Sequence, residues 1–208
     1  RGCYKGIMVG AGTFLADNPQ LTARTEGMID PVRIIVDGKL SVPLKAKVFQ
    51  EEGENIILTT TASDEGKRKA LSDMGVDIIM TDGEEKGSVD LEAAMTGLAL
   101  KGIDSILLEG GATLAASAFD AGIVDKVRIY AAPMIIGGAS APGLIGGEGA
   151  PTIPKAIRLR DIQTQMTGKD LVIEAYVEKE AKEEKAESTR PTDVDLLKRE
   201  EEPCSQGS

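Results

Sequence analysis

The sequence contains no histidine, no tryptophan and only two cysteines, Cys3 and Cys204. The absence of histidine excludes Ser–His–Asp and Cys–His catalysis, histidine-ligated zinc and histidine acid–base roles for this chain. Two cysteines so far apart in sequence form no disulfide framework and no thiolate metal site, so we expect no metal and a reducing, cytoplasmic location. Chemistry must then come from carboxylates, hydroxyls, lysines or a bound cofactor that carries the reactive centre.

Aromatic residues are also scarce, at 3% of the 208 residues, whereas hydrophobic residues make up 41%. A core built from Val, Ile, Leu and Ala is typical of a buried, largely parallel sheet with helices packed on it. The net charge of −10 argues against a nucleic-acid partner, because phosphate contacts need clustered Lys and Arg. No apolar run reaches the roughly 18 residues of a transmembrane span, and the start shows no signal-peptide pattern, so we expect no membrane partner.

Apolar strand segments alternate with helical segments, which predicts an α/β fold. Ser63 is the predicted N-cap of the first long helix, which ends before Gly75. A hairpin around Thr167–Gly168 closes the domain. The predicted strands are 6–10, 32–36, 55–59, 76–80, 105–108, 126–131, 157–165 and 171–177, and the predicted helices are 63–74, 91–100 and 113–121.

The composition changes after position 177, which predicts one domain over 1–177 and a charged tail over 178–208. The tail is rich in Glu, Lys, Ser and Pro and has few apolar residues, so we expect it to be disordered. A short partner-binding motif around Val194–Leu197 is the alternative.

The segment SILLEGGATLAASA, residues 105–118, carries the clearest functional signal. An apolar strand ends on Glu109, and two glycines lead into a helix that should begin near Thr113. Free backbone N–H groups at such a helix start attract an anion, and glycines allow its close approach. Because Glu109 would repel a phosphate, the segment favours a nitrogen heterocycle that carries both N–H donors and a phosphate. The alternative is an ordinary strand-to-helix connection with a solvated glutamate.

Four segments together resemble the pyrimidine reductase family of riboflavin biosynthesis, whose fold is like that of dihydrofolate reductase. They are VGAGTFLADNPQLTAR at 9–24, PVRIIVDGKLSVPLKAKV at 31–48, ILLEGGATL at 106–114 and APMIIGG at 132–138. The resemblance implies a mixed, largely parallel central sheet flanked by helices, with a C-terminal antiparallel hairpin. It also implies reduction by NADPH, with NADH as the alternative, of a phosphorylated ribosylamino-pyrimidine to its ribityl form, by hydride transfer to C1′ of the ring-opened imine.

The resemblance leans toward the stand-alone archaeal and fungal type, which implies the 2,5-diamino-6-ribosylamino-pyrimidinone phosphate as substrate. Its deaminated relative is the alternative substrate, and a non-catalytic nucleotide-binding homologue is the alternative function. The family's opening strand and helix have no counterpart before the GIMVG segment, and no deaminase motif occurs. A dihydrofolate reductase proper would need aromatic walls for its pterin, which three phenylalanines hardly supply.

By resemblance, Asp17 and Glu109 are the acids that handle a proton, with a water as the alternative, and Glu109 also orients the amino-pyrimidine. An exposed aspartate at a helix cap is the alternative for Thr13 and Asp17. Leu21 would pack on the pyrimidine, and Arg24 would bind the substrate phosphate. A solvated surface arginine is the alternative for Arg24, and a solvated loop lysine is the alternative for Lys39. The implied cofactor-binding residues are Thr13, Asp17, Val36, Asp37, Gly38, Lys39, Gly110, Gly111, Ala112, Thr113 and Leu114.

Two further expectations concern cofactor choice and assembly. The hydroxyls of Thr59, Thr60, Thr61 and Ser63 could hold the 2′-phosphate that distinguishes NADPH, with simple helix capping as the alternative. Because no arginine joins them, we expect only a modest preference for NADPH. We also expect a homodimer, because a monomer would leave an apolar patch of Ile135, Ile136, Leu144 and Ile145 exposed.

Overall fold

The computed structural model describes residues 1–23, 27–138, 141 and 143–179. Residues 1–178 form one compact unit, and the second unit, 179–208, lies outside the described residues except for Lys179. The expected disorder of the tail therefore remains a prediction. The strands are β1 Gly6–Gly10, β2 Val32–Val36, β3 Asn55–Thr59, β4 Asp77–Met80, β5 Ile106–Leu108, β6 Lys126–Ala131, β7 Leu159–Thr167 and β8 Asp170–Val177, and the helices are α1 Ala11–Asp17, α2 Glu65–Asp73, α3 Leu91–Leu100 and α4 Ala112–Asp120.

Five parallel strands form the central sheet, in the order β4-β3-β2-β1-β5. Alternate residues of each strand face opposite sides, and both sides are buried. One side packs against α1 and α2 through Phe14 and Leu71. The other packs against α3 and α4 through Leu98 and Leu114. Burial on both sides explains why these strands are mostly apolar in the sequence, with the buried Arg33 of β2 as an exception.

The last three strands form a separate antiparallel sheet in the order β6-β8-β7. The β7–β8 pair is the predicted hairpin, and its register shifts between Arg160 and Gln163. Glu174 on β8 forms ion pairs with Lys126 and Arg128 on β6. The predicted combination of a largely parallel sheet, flanking helices and a C-terminal hairpin is confirmed, and among the named strands the antiparallel pairs lie in this second sheet.

The predicted N-cap of the first long helix was wrong by one residue. The carboxylate of Asp64 accepts a hydrogen bond from the backbone N–H of Lys67 and caps α2, whereas Ser63 donates its hydroxyl to the carbonyl of Thr60. The predicted end is confirmed, because Gly75 follows the helix with a φ of +82°. The hairpin strand β7 also begins and ends two residues later than expected, at Leu159 and Thr167.

Candidate functional site

The candidate site lies where the order of the central sheet reverses. The chain adds β2, β3 and β4 on one side of β1 and then returns to place β5 on the other. Loops at the carboxyl ends of two strands that diverge in this way leave a crevice, where open α/β sheets bind ligands. A cleft of about 460 Å³ opens here, and its walls are Arg1, Val9, Thr13, Asp17, Pro19, Gln20, Leu21, Thr22, Glu109 and Gly110.

The two walls of the cleft meet closely at Thr13. Gly110 and Gly111 follow β5 with φ values of +66° and +78°, a conformation that favours glycine. A Cβ on Gly111 would lie 2.8 Å from Thr13 Oγ1, and one on Gly110 would lie 3.2 Å from Thr13 Cγ2. The glycines therefore let the β5–α4 loop approach α1, so that Thr13, Glu109 and Gly110 line the same cleft.

Glu109 is held by a forked ion pair with Arg1. Arg1 Nε donates to Glu109 Oε1 at 2.9 Å, and Arg1 Nη2 donates to Glu109 Oε2 at 2.5 Å. A third bond runs from Arg1 Nη1 to the carbonyl oxygen of Thr22 at 3.2 Å. Hydrogen bonding to the carboxylate, partly opposed by burial, raises the pKa of the Arg1 guanidinium above its usual range. The cleft thus contains a carboxylate whose direction is set by a neighbouring cation.

Asp17 and Leu21 both line the cleft but differ in exposure. Asp17 is exposed at the end of α1, where Asn18 stops the helix with a φ of +40°. Leu21 is only 1% exposed, and its side chain packs in the core with Phe14, at a φ of +58°. Its contribution to a pyrimidine-binding surface stays a prediction, and Arg24 lies outside the described residues.

The residues after β2 stabilise their own loop instead of lining the cleft. The carboxylate of buried Asp37 accepts bonds from Ser41 Oγ at 3.0 Å and from the backbone N–H of Val42 at 2.8 Å. A Cβ on Gly38 would lie 2.0 Å from the carbonyl oxygen of Gly87, so no side chain fits there. Val36 is the last residue of β2 and Lys39 lies in the loop that follows, at the end of the strand next to β1. Their predicted contact with a cofactor stays a prediction.

The hydroxyl cluster after β3 is already engaged in internal hydrogen bonds. Thr59 and Thr60 donate to backbone carbonyls of the β2 loop, and Ser63 donates to Thr60. Thr61 gives both its backbone N–H and its hydroxyl to the carboxylate of Asp82, at 2.9 and 2.8 Å. The expectation that no arginine joins these hydroxyls was wrong, because Arg68 on α2 donates to Ser63 Oγ at 2.9 Å. The acidic group of Asp82 nevertheless disfavours a 2′-phosphate here, and the sequence pattern did not reveal it because Asp82 follows a different strand.

The start of α4 presents backbone N–H groups next to the cleft. Gly111 is the N-cap, and glycine has no side chain that could accept from the first turn. Thr113 is exposed, whereas Leu114 has its side chain in the core, so Leu114 could offer a ligand only its backbone. Gly146 lies against this turn and donates its N–H to the carbonyl of Ala112 at 2.9 Å. The helix begins at Ala112, one residue before the predicted Thr113.

Sequence reasoning missed five residues that line the cleft, which are Arg1, Val9, Pro19, Gln20 and Thr22. Gln20 Nε2 donates to Glu51 at 2.7 Å and so joins the cleft segment to the loop after β2. A spacing signal could not identify Arg1, because its partner lies 108 positions away. In the described part of the chain, no helix is long and apolar enough to cross a membrane, and no group of three His, Cys, Asp or Glu side chains could hold a metal ion.

Comparison with known proteins decides the family. The profile of the RibD C-terminal domain family matches residues 1–173. The chain belongs to this family. It is 38% identical over 175 residues to riboflavin biosynthesis protein RibD of Actinobacillus pleuropneumoniae, covering 84% of this chain and 46% of that protein. The resemblance inferred from the four sequence segments is therefore confirmed.

A second relative of this chain is shorter than the RibD protein. The 2,5-diamino-6-ribosylamino-4(3H)-pyrimidinone 5′-phosphate reductase of Aquifex aeolicus is 35% identical over 175 residues, which cover 84% of this chain and 77% of that protein. The chain spans about half the length of the RibD relatives that it matches.

Solved structures support the fold. RibD of Acinetobacter baumannii superposes with a TM-score of 0.69 at 22% identity, covering 84% of this chain and 47% of that one. The riboflavin biosynthesis reductase of Saccharomyces cerevisiae gives a TM-score of 0.65 at 22% identity, with 84% and 76% coverage.

Proposed function

We propose that this chain reduces the ribosyl side chain of a phosphorylated ribosylamino-pyrimidine to ribityl, with a reduced nicotinamide dinucleotide as the hydride donor. The observation that carries the proposal is the cleft at the sheet's reversal point, in which the Glu109 carboxylate lies next to Gly110, Gly111 and the first turn of α4. The name of the Aquifex aeolicus relative supports the same substrate class.

The residues present fit a dinucleotide. The backbone at Gly111 lies closer to Thr13 than a residue with a Cβ would allow, and the uncapped first turn of α4 follows directly. A pyrophosphate is favoured at such a helix start by free N–H groups and the helix dipole. When bound, the dinucleotide would supply a hydride. We propose NADPH with only a modest preference over NADH, because the negative charge of Asp82 opposes the positive charge of Arg68 beside the Thr59–Ser63 hydroxyls.

This chain's own part in the reaction is positioning and proton transfer. Glu109 would accept N–H groups of the amino-pyrimidine and so would hold the ribosylamine side chain in one orientation in the cleft. As C1′ of the ring-opened imine gains the hydride, its nitrogen gains one proton. Asp17, which is exposed at the cleft, would donate that proton directly or through a water. Atoms and charge then balance without a covalent enzyme intermediate.

The test is oxidation of NADPH by the purified chain in the presence of the 2,5-diamino substrate or, separately, its deaminated relative. Loss of the absorbance of the reduced nicotinamide with either pyrimidine supports the proposal, and the ratio of kcat/KM values assigns the substrate. Tight NADPH binding without turnover on either pyrimidine would instead identify a non-catalytic nucleotide-binding homologue.

We also propose a homodimer that buries the apolar patch predicted from the sequence. Ile135 and Ile136 are 98% and 85% exposed, and Leu144 and Ile145 are exposed nearby. Light scattering should give twice the chain mass, and replacing Ile135 and Ile136 together by Asp should give a monomer. Leu100→Asp on α3, which is 86% exposed outside the patch, is the matched control and should leave the dimer intact. A monomer mass for the unaltered chain at micromolar concentration would overturn this proposal.

A further inference from the structure

The connection between β6 and β7 returns to the central sheet and lies against the first turn of α4. Its contact is made by backbone, because the N–H of Gly146 donates to the carbonyl oxygen of Ala112 at 2.9 Å. The two residues before this glycine, Leu144 and Ile145, are 66% and 42% exposed. Their side chains therefore do not anchor the segment in the core, and the hydrogen bond of Gly146 is what joins it to the helix.

The space at Gly146 admits no side chain. A Cβ there would lie 3.1 Å from the carbonyl carbon and 3.2 Å from the carbonyl oxygen of Ala112, and 3.3 Å from the backbone nitrogen of Thr113. All three atoms belong to one peptide group in a helix, which cannot move aside as the end of a flexible side chain can. The φ of Gly146 lies outside the left-handed region, so close approach, and not conformation, requires a glycine.

The peptide group that Gly146 contacts carries a donor of the proposed dinucleotide site. Thr113 is the second residue of α4, so its N–H has no partner within the helix. The carbonyl and the N–H of a trans peptide point in opposite directions, so Gly146 can bind the carbonyl of Ala112 and leave this N–H to an anion. A hydrogen bond accepted by the carbonyl also polarises the peptide group and strengthens its N–H as a donor.

We propose that Gly146 is a positioning residue of the reductase, which orients and polarises the Ala112–Thr113 peptide for the pyrophosphate of the dinucleotide. This inference rests on the dinucleotide site of the proposed function. Gly146 acts through α4, so its replacement should weaken dinucleotide binding and leave the hydride-transfer step and the pyrimidine site unchanged.

The test is calorimetric titration of Gly146→Ala, in the full chain, with ADP-ribose, which contains the pyrophosphate but no nicotinamide. We expect about tenfold weaker binding, the factor for weakening one hydrogen bond to a charged group. The KM for NADPH should rise by a similar factor, with kcat and the KM for the pyrimidine retained. A purely structural role would lower kcat together with thermal stability and would not single out the dinucleotide. In the unaltered chain, ADP-ribose should slow hydrogen exchange at the amide of Gly146.

Gly143→Ala is the matched control in the same connection. The φ of Gly143 also lies outside the left-handed region, and its Cβ would meet nothing closer than the carbonyl oxygen of Ile145, at an ordinary 3.5 Å. This variant should bind ADP-ribose as the unaltered chain does. Equal affinities in the two variants would overturn the inference while the reductase proposal stands.

Two further outcomes separate the inference from the proposed function. If the unaltered chain shows no pyrimidine-dependent oxidation of NADPH but Gly146→Ala still weakens ADP-ribose binding, the reductase proposal fails and the role of Gly146 stands. If the unaltered chain binds neither NADPH nor ADP-ribose, both are overturned.

Discussion

Gly111→Ala is the substitution for which the structure gives the most detailed expectation. Gly111 has a φ of +78°, where an L-residue is disfavoured by roughly 1–2 kcal/mol. In addition, the new Cβ would lie 2.8 Å from Thr13 Oγ1, and such overpacking costs about 1–3 kcal/mol. The two effects together predict a loss of about 2–5 kcal/mol in the free energy of unfolding.

A matched glycine separates the two effects. Gly102 follows α3 with a φ of +80°, and nothing lies within 4 Å of the position that its Cβ would take. Gly102→Ala should therefore show the backbone cost alone, about 1–2 kcal/mol. Thr13→Ala combined with Gly111→Ala should recover the steric part of the loss, since it removes the oxygen that the Cβ would meet.

Denaturant unfolding of these variants, followed by circular dichroism, measures the difference. Dinucleotide titration provides a second readout, in which Gly111→Ala should weaken binding and Gly102→Ala should not. If the two single variants lose the same stability, the close approach of the β5–α4 loop to α1 is wrong, and the cradle assigned to the dinucleotide loses its support.

Three further predictions concern Glu109, Asp82 and Asp64. Glu109→Gln should lower kcat/KM for the pyrimidine by a factor that corresponds to about 2–4 kcal/mol, with dinucleotide affinity retained; unchanged efficiency would exclude Glu109 as a substrate ligand. Asp82→Asn should raise the ratio of kcat/KM for NADPH to kcat/KM for NADH about fivefold, because removing one nearby negative charge is worth about 1 kcal/mol. Asp77→Asn, at the other end of β4, is the control and should leave the ratio unchanged. Equal ratios in the two variants would mean that the 2′-phosphate binds elsewhere. Asp64→Ala should cost about 1 kcal/mol of stability in thermal unfolding and Asp64→Ser much less, whereas equal losses would mean that the side chain does not cap α2.

The sequence predicted the fold elements well because their determinants are local. The buried parallel strands are mostly apolar, and each long helix ends at a glycine in the left-handed region, as at Gly75 and Gly102. The cap of α2 was misplaced because Ser63 and Asp64 are adjacent and both are good N-caps. Only the three-dimensional path of the chain decides which of them reaches the N–H of Lys67.

The sequence predicted only those parts of the candidate site whose residues are consecutive in the chain. Glu109 and the two glycines after it are consecutive, so their arrangement follows from a strand that ends before a helix. The partner of Glu109 was not predictable, because Arg1 reaches it only after β1 and β5 have paired. The partner of Thr61 was not predictable either. Its hydroxyl donates to Asp82, which comes close only after β3 and β4 have paired.

The position of β5 at the edge of the central sheet has a consequence for how the site responds to its ligands. β5 has three residues and pairs with β1 alone in this sheet, so its opening removes one wall of the cleft without disturbing the β1–β4 core. Short edge elements exchange their amide hydrogens through local opening at a lower free energy than the core. A ligand that contacts both walls binds only the closed state and stabilises it in proportion to its concentration. Hydrogen exchange at Glu109, whose N–H donates to the carbonyl of Met8 on β1, should therefore slow on ligand binding more than exchange in β3, making the end of this edge strand a reporter of site occupancy.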